Sequence, residues 1–141
     1  DLGKLILKFQ WVNGGNIMIL IYPAIFHKDD NSYWAEFPDL VGCQSYGDDL
    51  KDTVINAQEA LAAYVLTMID ENRNLPEPSD IEKLKTDEGF ISLVTCDIKI
   101  EKNNKAVKKT LTIPEWLNDR AVAKDINFSK VLQDALIEKV I

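Results

Sequence analysis

The sequence is poor in the residues on which many enzymes and metal sites depend. It has one histidine, His27, and two cysteines, Cys43 and Cys96, among 141 residues. The cysteines are 53 positions apart, which matches neither a disulfide framework nor a zinc-ligand pattern. Glycine-rich phosphate loops and paired-cysteine motifs are missing as well. We therefore expect no metal and no cofactor.

Long apolar runs are also missing. No segment of the sequence approaches the roughly 20 apolar residues that a membrane-spanning helix needs. The first residues do not follow the basic, apolar, small order of a signal peptide. Apolar residues make up 46% of the chain and charged residues 28%, the balance of a globular protein. These features predict a cytoplasmic protein with one ordinary domain or two very small ones.

Positive charge is scarce in most of the chain. Residues 1–104 carry nine Lys/Arg and eighteen Asp/Glu, a net of −9, whereas residues 105–141 carry seven and five, a net of +2. Such a split indicates two modules with different partners. The acidic part would repel nucleic acid and attract a basic protein. An acidic surface that serves only solubility explains the charge equally well.

The first 17 residues, "DLGKLILKFQWVNGGNI", allow two interpretations. They are an extra hairpin strand that ends in an Asn-Gly-Gly-Asn turn, or an extension upstream of a natural start at Met18. The second is favoured, because "GGNI" before Met is what a purine-rich ribosome-binding stretch would give if it were translated. We therefore expect residues 1–17 to be a non-native extension.

From Met18 the pattern predicts strand, turn, strand. "MILIYPAIF", "SYWAEF" and "CQSY" are short, β-branched or aromatic segments separated by polar turns. Pro23 cannot donate a ladder hydrogen bond, so it predicts an edge strand or a bulge. After a helix over residues 49–71, "FISLVTCDIKIEK" is strand-like again. The order β-β-β-α-β predicts a three-stranded meander with a returning strand packed under the helix.

The predicted helix has a strong apolar period, and an acidic residue at position 48 or 49 is placed to cap it. Residues spaced by three and four are expected to form its buried stripe. They are Leu50, Val54, Ala57, Leu61, Tyr64, Val65 and Met68.

Residues 105–141 predict a second unit. "VKKTLTI" is strand-like, Pro114 suits the first turn of a helix, and "PEWLNDRAVAKD" and "NFSKVLQDALIEKVI" read as two helices. A strand and two short helices of about 35 residues are too few to bury a sufficient core alone. We therefore expect this unit to dimerise.

Two enzymatic interpretations remain to be weighed. Cys43 could act as a nucleophile with His27 as its base, but strand follows Cys43 instead of a helix N-terminus that would lower its pKa, so a small buried cysteine is favoured. A metal-dependent nuclease would need carboxylates that converge within about 4 Å of both ions. Its candidates are Asp29, Asp30, Glu36 and Asp49. Turn and cap roles are favoured for these acids.

The strand "KKTLTIP" offers a binding surface of another kind. Lys108, Thr110 and Thr112 alternate with Leu111 and Ile113, so the donors share one face. A ribbon paired between two subunits could place that face in a DNA major groove. Ser129, with the backbone N–H groups at the start of the second helix, would hold a phosphate. An ordinary edge strand with a solvated face is an equally good explanation.

Two segments resemble a known family. "YPAIFHKDDNSYWAEFPDLVGCQSYGDDLKDTVINAQEALAAYV" resembles the N-terminal domain of HicB antitoxins. "KKTLTIPEWLNDRAVAKDINFSKVLQDAL" is similar to the ribbon-helix-helix DNA-binding domains that some HicB proteins carry. Together the resemblance covers residues 18–141, the whole chain after the expected extension.

The resemblance implies an α+β fold with a partial ribonuclease-H-like domain over residues 18–104 and a ribbon-helix-helix domain over residues 105–141. It implies an antitoxin, not an enzyme, that neutralises a HicA-type mRNA-cleaving toxin. As a dimer or a higher even-numbered oligomer it would bind operator DNA and repress its operon. The DNA-binding residues would be Lys108, Thr110, Thr112 and Ser129. The toxin-binding residues would be Tyr33, Trp34, Glu36, Asp39 and Asp48.

Overall fold

The structure is a computed structural model, and it describes residues 8–12, 15–100 and 106–140. The chain divides into two compact units, Asp1–Ile100 and Glu101–Ile141. The predicted domain boundary between residues 104 and 105 lies outside the described residues and stays a prediction. The elements are β1 (Lys8–Val12), β2 (Gly15–Asp29), β3 (Ser32–Glu36), β4 (Gln44–Gly47), α1 (Leu50–Asp70), β5 (Phe90–Ile100), α2 (Glu115–Ala123) and α3 (Phe128–Val140).

The first unit is a five-stranded antiparallel sheet with β2 at its centre. One side of β2 pairs with β5 over residues 16–26. The other side of β2 pairs with β1 over residues 15–19 and with β3 over residues 25–29, and β3 pairs in turn with β4. The predicted meander and the returning strand are therefore confirmed. Residues 8–12 form the hairpin strand that the sequence allowed, and whether residues 1–17 are native to the protein stays a prediction.

The edge position predicted from Pro23 is wrong, because β2 is the most extensively paired strand of the sheet. The stretch 20–24 nevertheless lies between the segments that pair with β1 and with β3. Pro23 in this stretch pairs with Leu93 of β5, and among the described residues no strand pairs with it on the other side. The missing N–H is therefore tolerated inside a central strand.

Helix α1 covers one face of the sheet and builds the core with it. Even-numbered residues of β2 point toward the helix, as the period of two requires. The buried side chains on this face of β2 and β5 and on the helix are Met18, Leu20, Tyr22, Ala24, Phe26, Val94, Cys96, Ile98, Thr53, Ala57, Leu61, Val65 and Met68. Fully burying one such large side chain contributes about 1.5–3 kcal/mol.

The buried stripe of α1 is rotated from the predicted one. Leu50 and Val54 are 39% and 37% exposed, so their predicted burial is wrong, and Tyr64 is only half-buried. Thr53 takes the buried position instead, and its hydroxyl donates to Asp49 O at 2.8 Å. A threonine hydroxyl can find its hydrogen-bond acceptor on its own helix and can therefore be buried. The pattern of apolar residues alone did not identify the buried face of α1 for this reason.

Helix α1 begins and is anchored through polar side chains. Asp49 is the N-cap, and its carboxylate accepts from Asp52 N at 2.7 Å, which confirms one of the two predicted caps. Asn56 Nδ2 donates to Tyr46 O on β4 at 2.7 Å, and Gln58 Nε2 donates to Thr95 O on β5 at 2.8 Å. Two side-chain amides of one helix thus bind backbone carbonyls of β4 and β5, which lie on opposite sides of β2, and fix the helix across the sheet.

The second unit has two helices and no buried residue among positions 106–140. Large apolar side chains are exposed on both helices and before them, including Leu111 (61%), Trp116 (62%), Val131 (55%) and Val140 (69%). The predicted strand "VKKTLTI" is not formed, since residues 106–114 have no regular structure. A ribbon strand needs a hydrogen-bonded neighbour, and the prediction places that neighbour in a second copy of the chain.

Candidate functional site

A row of three aromatic rings crosses the face of the sheet opposite α1. His27 of β2 pairs with Trp34 of β3, and Trp34 pairs with Tyr46 of β4. The neighbouring row, Phe26 with Ala35 with Ser45, is buried under α1, so the aromatic row points the other way. The His27 and Trp34 rings are stacked, with centroids 4.0 Å apart and planes at 15°. We call His27, Trp34 and Tyr46 the aromatic row.

The aromatic row has an acidic neighbour. Glu36 Oε1 lies 3.7 Å from Nε2 of His27, and the Glu36 side chain is 36% exposed. The same His27 nitrogen is buried and has no hydrogen-bond partner within the described part of the chain. Tyr46 is 65% exposed, and its hydroxyl donates to Gln44 Oε1 at 3.4 Å. The outer face thus combines an exposed ring, a stacked indole and an accessible carboxylate.

A cavity lies where β4 meets the start of α1. Its volume is about 540 Å³, and Tyr33, Asp48, Asp52 and Asn56 are among the residues that line it. We call it the corner cavity. The five residues predicted to bind toxin are therefore spread over separate places. Trp34 and Glu36 lie on the outer face, while Tyr33 and Asp48 line the corner cavity.

Asp39, the fifth predicted toxin-binding residue, has an internal contact. Its carboxylate accepts from the backbone N of Ser79 at 2.8 Å and from the Ser79 hydroxyl. This contact and the bond from the Tyr22 hydroxyl to Pro76 O (2.6 Å) tie the segment after α1 to the sheet. The structure thus gives Asp39 a role in holding residues 71–89.

The Cys43–His27 pair does not form an active site in this structure. Cys43 is 4% exposed, sits beside α1, and burial raises the pKa of its thiol to about 11. His27 is stacked on the opposite face of the sheet. A thiol with a raised pKa is a poor nucleophile at neutral pH. The prediction of Cys43 as a small buried residue is confirmed.

The stretch "FPDLVGCQSYGD" is the turn that leads into β4 and α1. Phe37 N donates to Cys43 O at 3.1 Å, and Cys43 N donates to Leu40 O at 3.0 Å. Gly42 has a φ of +84°, a conformation that side chains disfavour. The turn predicted between "SYWAEF" and "CQSY" is therefore confirmed.

The acids of the nuclease interpretation do not converge. Asp29 pairs with Ser32 at the start of β3, and Glu36 ends that strand, so about 13 Å of backbone separates them at ~3.3 Å per residue. Asp49 is engaged as the helix cap. Within the described ranges no three His, Cys, Asp or Glu side chains form a group that could hold a metal ion.

The predicted DNA-binding residues are all exposed. Lys108, Thr110 and Thr112 belong to the segment 106–114, and Ser129 is the second residue of α3. Asn127 caps this helix, because its side-chain oxygen accepts from Lys130 N at 3.1 Å.

No described helix is long and apolar enough to cross a membrane.

His27 and Tyr46 are the two members of this outer surface that sequence reasoning missed as binding residues. Their type and strand positions are visible in the sequence. The register that sets His27 beside Trp34 and Trp34 beside Tyr46 is not, because it depends on turn geometry. If the period of two is applied to β2, β3 and β4 together, His27, Trp34 and Tyr46 fall on one face of the sheet.

Comparison with known proteins gives the class and the family. A family model described as the HicB-like antitoxin of bacterial toxin–antitoxin systems matches residues 22–135. A solved toxin–antitoxin complex from Streptococcus pneumoniae is similar, with 30% identity and a TM-score of 0.53, over 86% of this chain and 99% of that one. The Burkholderia pseudomallei antitoxin HicB shares the fold, with a TM-score of 0.56 at 21% identity over 86% and 99% of the two chains.

An uncharacterised 14.9 kDa protein of Haemophilus phage HP1 is 27% identical over 104 residues, which is 72% of this chain and 78% of that protein. The family model spans most of the chain and reaches into both units. These relatives place the chain in the class of antitoxin proteins. It belongs to the HicB-like antitoxin family.

Proposed function

We propose that the protein binds and neutralises a HicA-type toxin through its first unit, and that it dimerises through its second unit to bind operator DNA and repress its own operon. The observation that carries the proposal is the family match over residues 22–135, which includes both units. The similar Streptococcus pneumoniae structure is a toxin–antitoxin complex, which supports a protein partner for this chain too.

The acidic first part of the chain supports a basic partner. Residues 1–104 have a net charge of −9, and opposite charge on a partner speeds and orients association. The same charge opposes binding of nucleic acid through this part. Neutralisation would then act by covering the toxin, with no chemical step on the antitoxin.

The second unit supports dimerisation. Its described residues include no buried side chain, yet they carry many exposed apolar ones. Two helices of 9 and 13 residues are too small to bury a core that would make the unit stable alone. A second copy would bury these side chains and pair residues 106–114 with their counterpart as a two-stranded ribbon. Lys108, Thr110 and Thr112 would then face the DNA, and Ser129 a phosphate.

Co-expression tests the toxin arm of the proposal. The gene next to this one is expressed in a bacterial host with and without the antitoxin, and growth is measured. We expect growth arrest by the neighbour alone, rescue by the antitoxin, and co-purification of the two proteins. A neighbour that neither arrests growth nor co-purifies would contradict the toxin arm.

The repressor arm is tested on the promoter of the same operon. Purified full-length protein should retard a promoter fragment and leave an equally long coding fragment unshifted at the same salt concentration. Equal retardation of both fragments would contradict specific operator binding.

A further inference from the structure

We propose that the aromatic row and Glu36 form the docking surface for an arginine side chain of the protein partner. This inference rests on the proposed function and names the surface that would serve it. The surface lies on the face of the sheet that α1 does not cover, where β3 pairs with the last residues of β2 and with β4.

The composition of the surface favours a cation with a flat shape. A guanidinium group stacks on aromatic faces and pairs with carboxylates, and it is the cationic group most often found against such rings. Tyr46 offers a ring that is 65% exposed, and Glu36 offers a carboxylate on the same face, beside His27. Tryptophan, tyrosine and arginine are also the residues that most often dominate binding at protein interfaces.

The surface is also held in place before any partner binds. Trp34 is in the middle strand of its three, and its ring is fixed by the stack on His27. The hydroxyl of Tyr46 is oriented toward Gln44, and the carbonyl of Tyr46 is held by Asn56 of α1. Rings that are fixed in advance lose little conformational freedom on binding, so more of the contact energy remains as affinity.

Charge decides between a protein and a nucleic acid as the occupant. Aromatic rings on a sheet face can stack on bases, as they do in some RNA-binding domains. Such platforms are accompanied by positive charge that follows the phosphates. Here the platform belongs to a part of the chain with a net charge of −9, and the Glu36 carboxylate lies 3.7 Å from Nε2 of His27. These observations favour a basic polypeptide.

Matched variants of the full-length protein test the surface with the purified toxin. Tyr46→Ala and Glu36→Gln remove the exposed ring and the carboxylate. Val41→Ala and Glu59→Gln are the controls, since Val41 is 87% exposed in a turn and Glu59 is exposed on α1. Asp48→Asn probes the corner cavity as the alternative contact. We expect each test variant to weaken toxin affinity at least tenfold, measured by calorimetry, and each control to change it less than twofold.

A loss of affinity in Asp48→Asn with normal binding by Glu36→Gln would move the contact to the corner cavity and overturn the inference. So would unchanged binding by both test variants. The toxin arm of the proposed function would survive either result, because the wild-type protein would still bind.

Short peptides test the ligand chemistry without the toxin. Deca-arginine, deca-lysine and a decamer of single-stranded thymidine DNA are titrated into the protein, and the indole N–H signal of Trp34 is followed by NMR. We expect deca-arginine to shift this signal and to bind at least fivefold more tightly than deca-lysine, with the difference lost in Tyr46→Ala. Stronger binding of the DNA, or equal binding of the two peptides, would overturn the inference even if the toxin binds.

Discussion

Gly47 and Thr53 approach so closely that no side chain fits between them: a Cβ atom on Gly47 would stand 2.8 Å from Thr53 Cα and nearer still to its backbone N. The contact brings the end of β4 against the first turn of α1. Since the obstacle is largely backbone, the neighbouring residue cannot rotate away. Gly47 is therefore needed for the junction of sheet and helix.

Gly47→Ala should lower the free energy of unfolding by about 1–3 kcal/mol, the usual cost of overpacking. Urea denaturation followed by circular dichroism measures the change. Val41→Ala, at an 87% exposed turn position, is the control and should stay within about 0.5 kcal/mol of wild type. An unchanged urea midpoint for Gly47→Ala would show that β4 and α1 can separate without cost.

Stability should fall in alkaline solution because three protonated groups are buried. Burial raises the pKa of the Cys43 and Cys96 thiols from 9.0 to about 11, with Asp97 and Cys43 adding to the effect at Cys96. Burial, and then the charge of Asp39, raises the pKa of Tyr22 from 10.0 to about 12. The unfolded chain releases these protons first as the pH rises.

The stabilisation from these groups is therefore complete below about pH 9 and is lost as the pH rises toward the pKa values of the groups in the folded state. Urea midpoints measured between pH 7 and 10.5 should decline above pH 9. The Cys43→Ala/Cys96→Ala double variant should start lower, because it leaves a cavity, and should decline less steeply. Parallel curves for the two proteins would contradict the assignment to the thiols.

The proposed DNA face predicts different effects for two neighbouring lysines. Lys108 shares the alternating face with Thr110 and Thr112, while Lys109 belongs to the face of Leu111 and Ile113. Lys108→Ala should weaken operator binding by about 1–3 kcal/mol, the range for a lost base contact. Lys109→Ala is the matched control, and toxin neutralisation should persist in both variants.

Gel shifts at one fixed salt concentration measure this difference. A larger loss in Lys109→Ala than in Lys108→Ala would mean that the ribbon register is displaced by one residue. That outcome would exchange the DNA face and the core face.

Removal of residues 105–141 should separate the two proposed activities. The remaining chain retains the whole sheet and α1, so it should fold and bind toxin. It should be monomeric by light scattering and should not retard operator DNA. A truncated protein that remains dimeric would place the dimer contact in the first unit.

Much of the first unit was predictable because its signals are local. The helix predicted over residues 49–71 is observed at Leu50–Asp70, since apolar spacing and the Asp49 cap both act within a few residues. The strand after the loop is observed at Phe90–Ile100 for the same reason. The inner face of α1 was misjudged at Thr53, whose hydroxyl finds its partner on the same helix.

The candidate site was less predictable because it depends on contacts between distant segments. Trp34 and Glu36 were named as toxin-binding residues only through the family resemblance, and the pairing that adds His27 and Tyr46 is set by three strands together. Asp39, which the resemblance gives as a toxin-binding residue, accepts hydrogen bonds from Ser79, 40 positions away. In the second unit the predicted strand has no partner within the described residues, so one chain alone cannot display it.

The pairing of β2 with β5 also sets when the first unit can fold during synthesis. Partners in this ladder, from Phe26 with Phe90 to Asn16 with Ile100, are 64 to 84 residues apart in the chain. Contacts over such distances are costly to close and form late. The sheet that presents the aromatic row cannot be completed until residues 90–100 have left the ribosome. Shorter nascent chains or premature termination products would therefore offer the partner no finished surface.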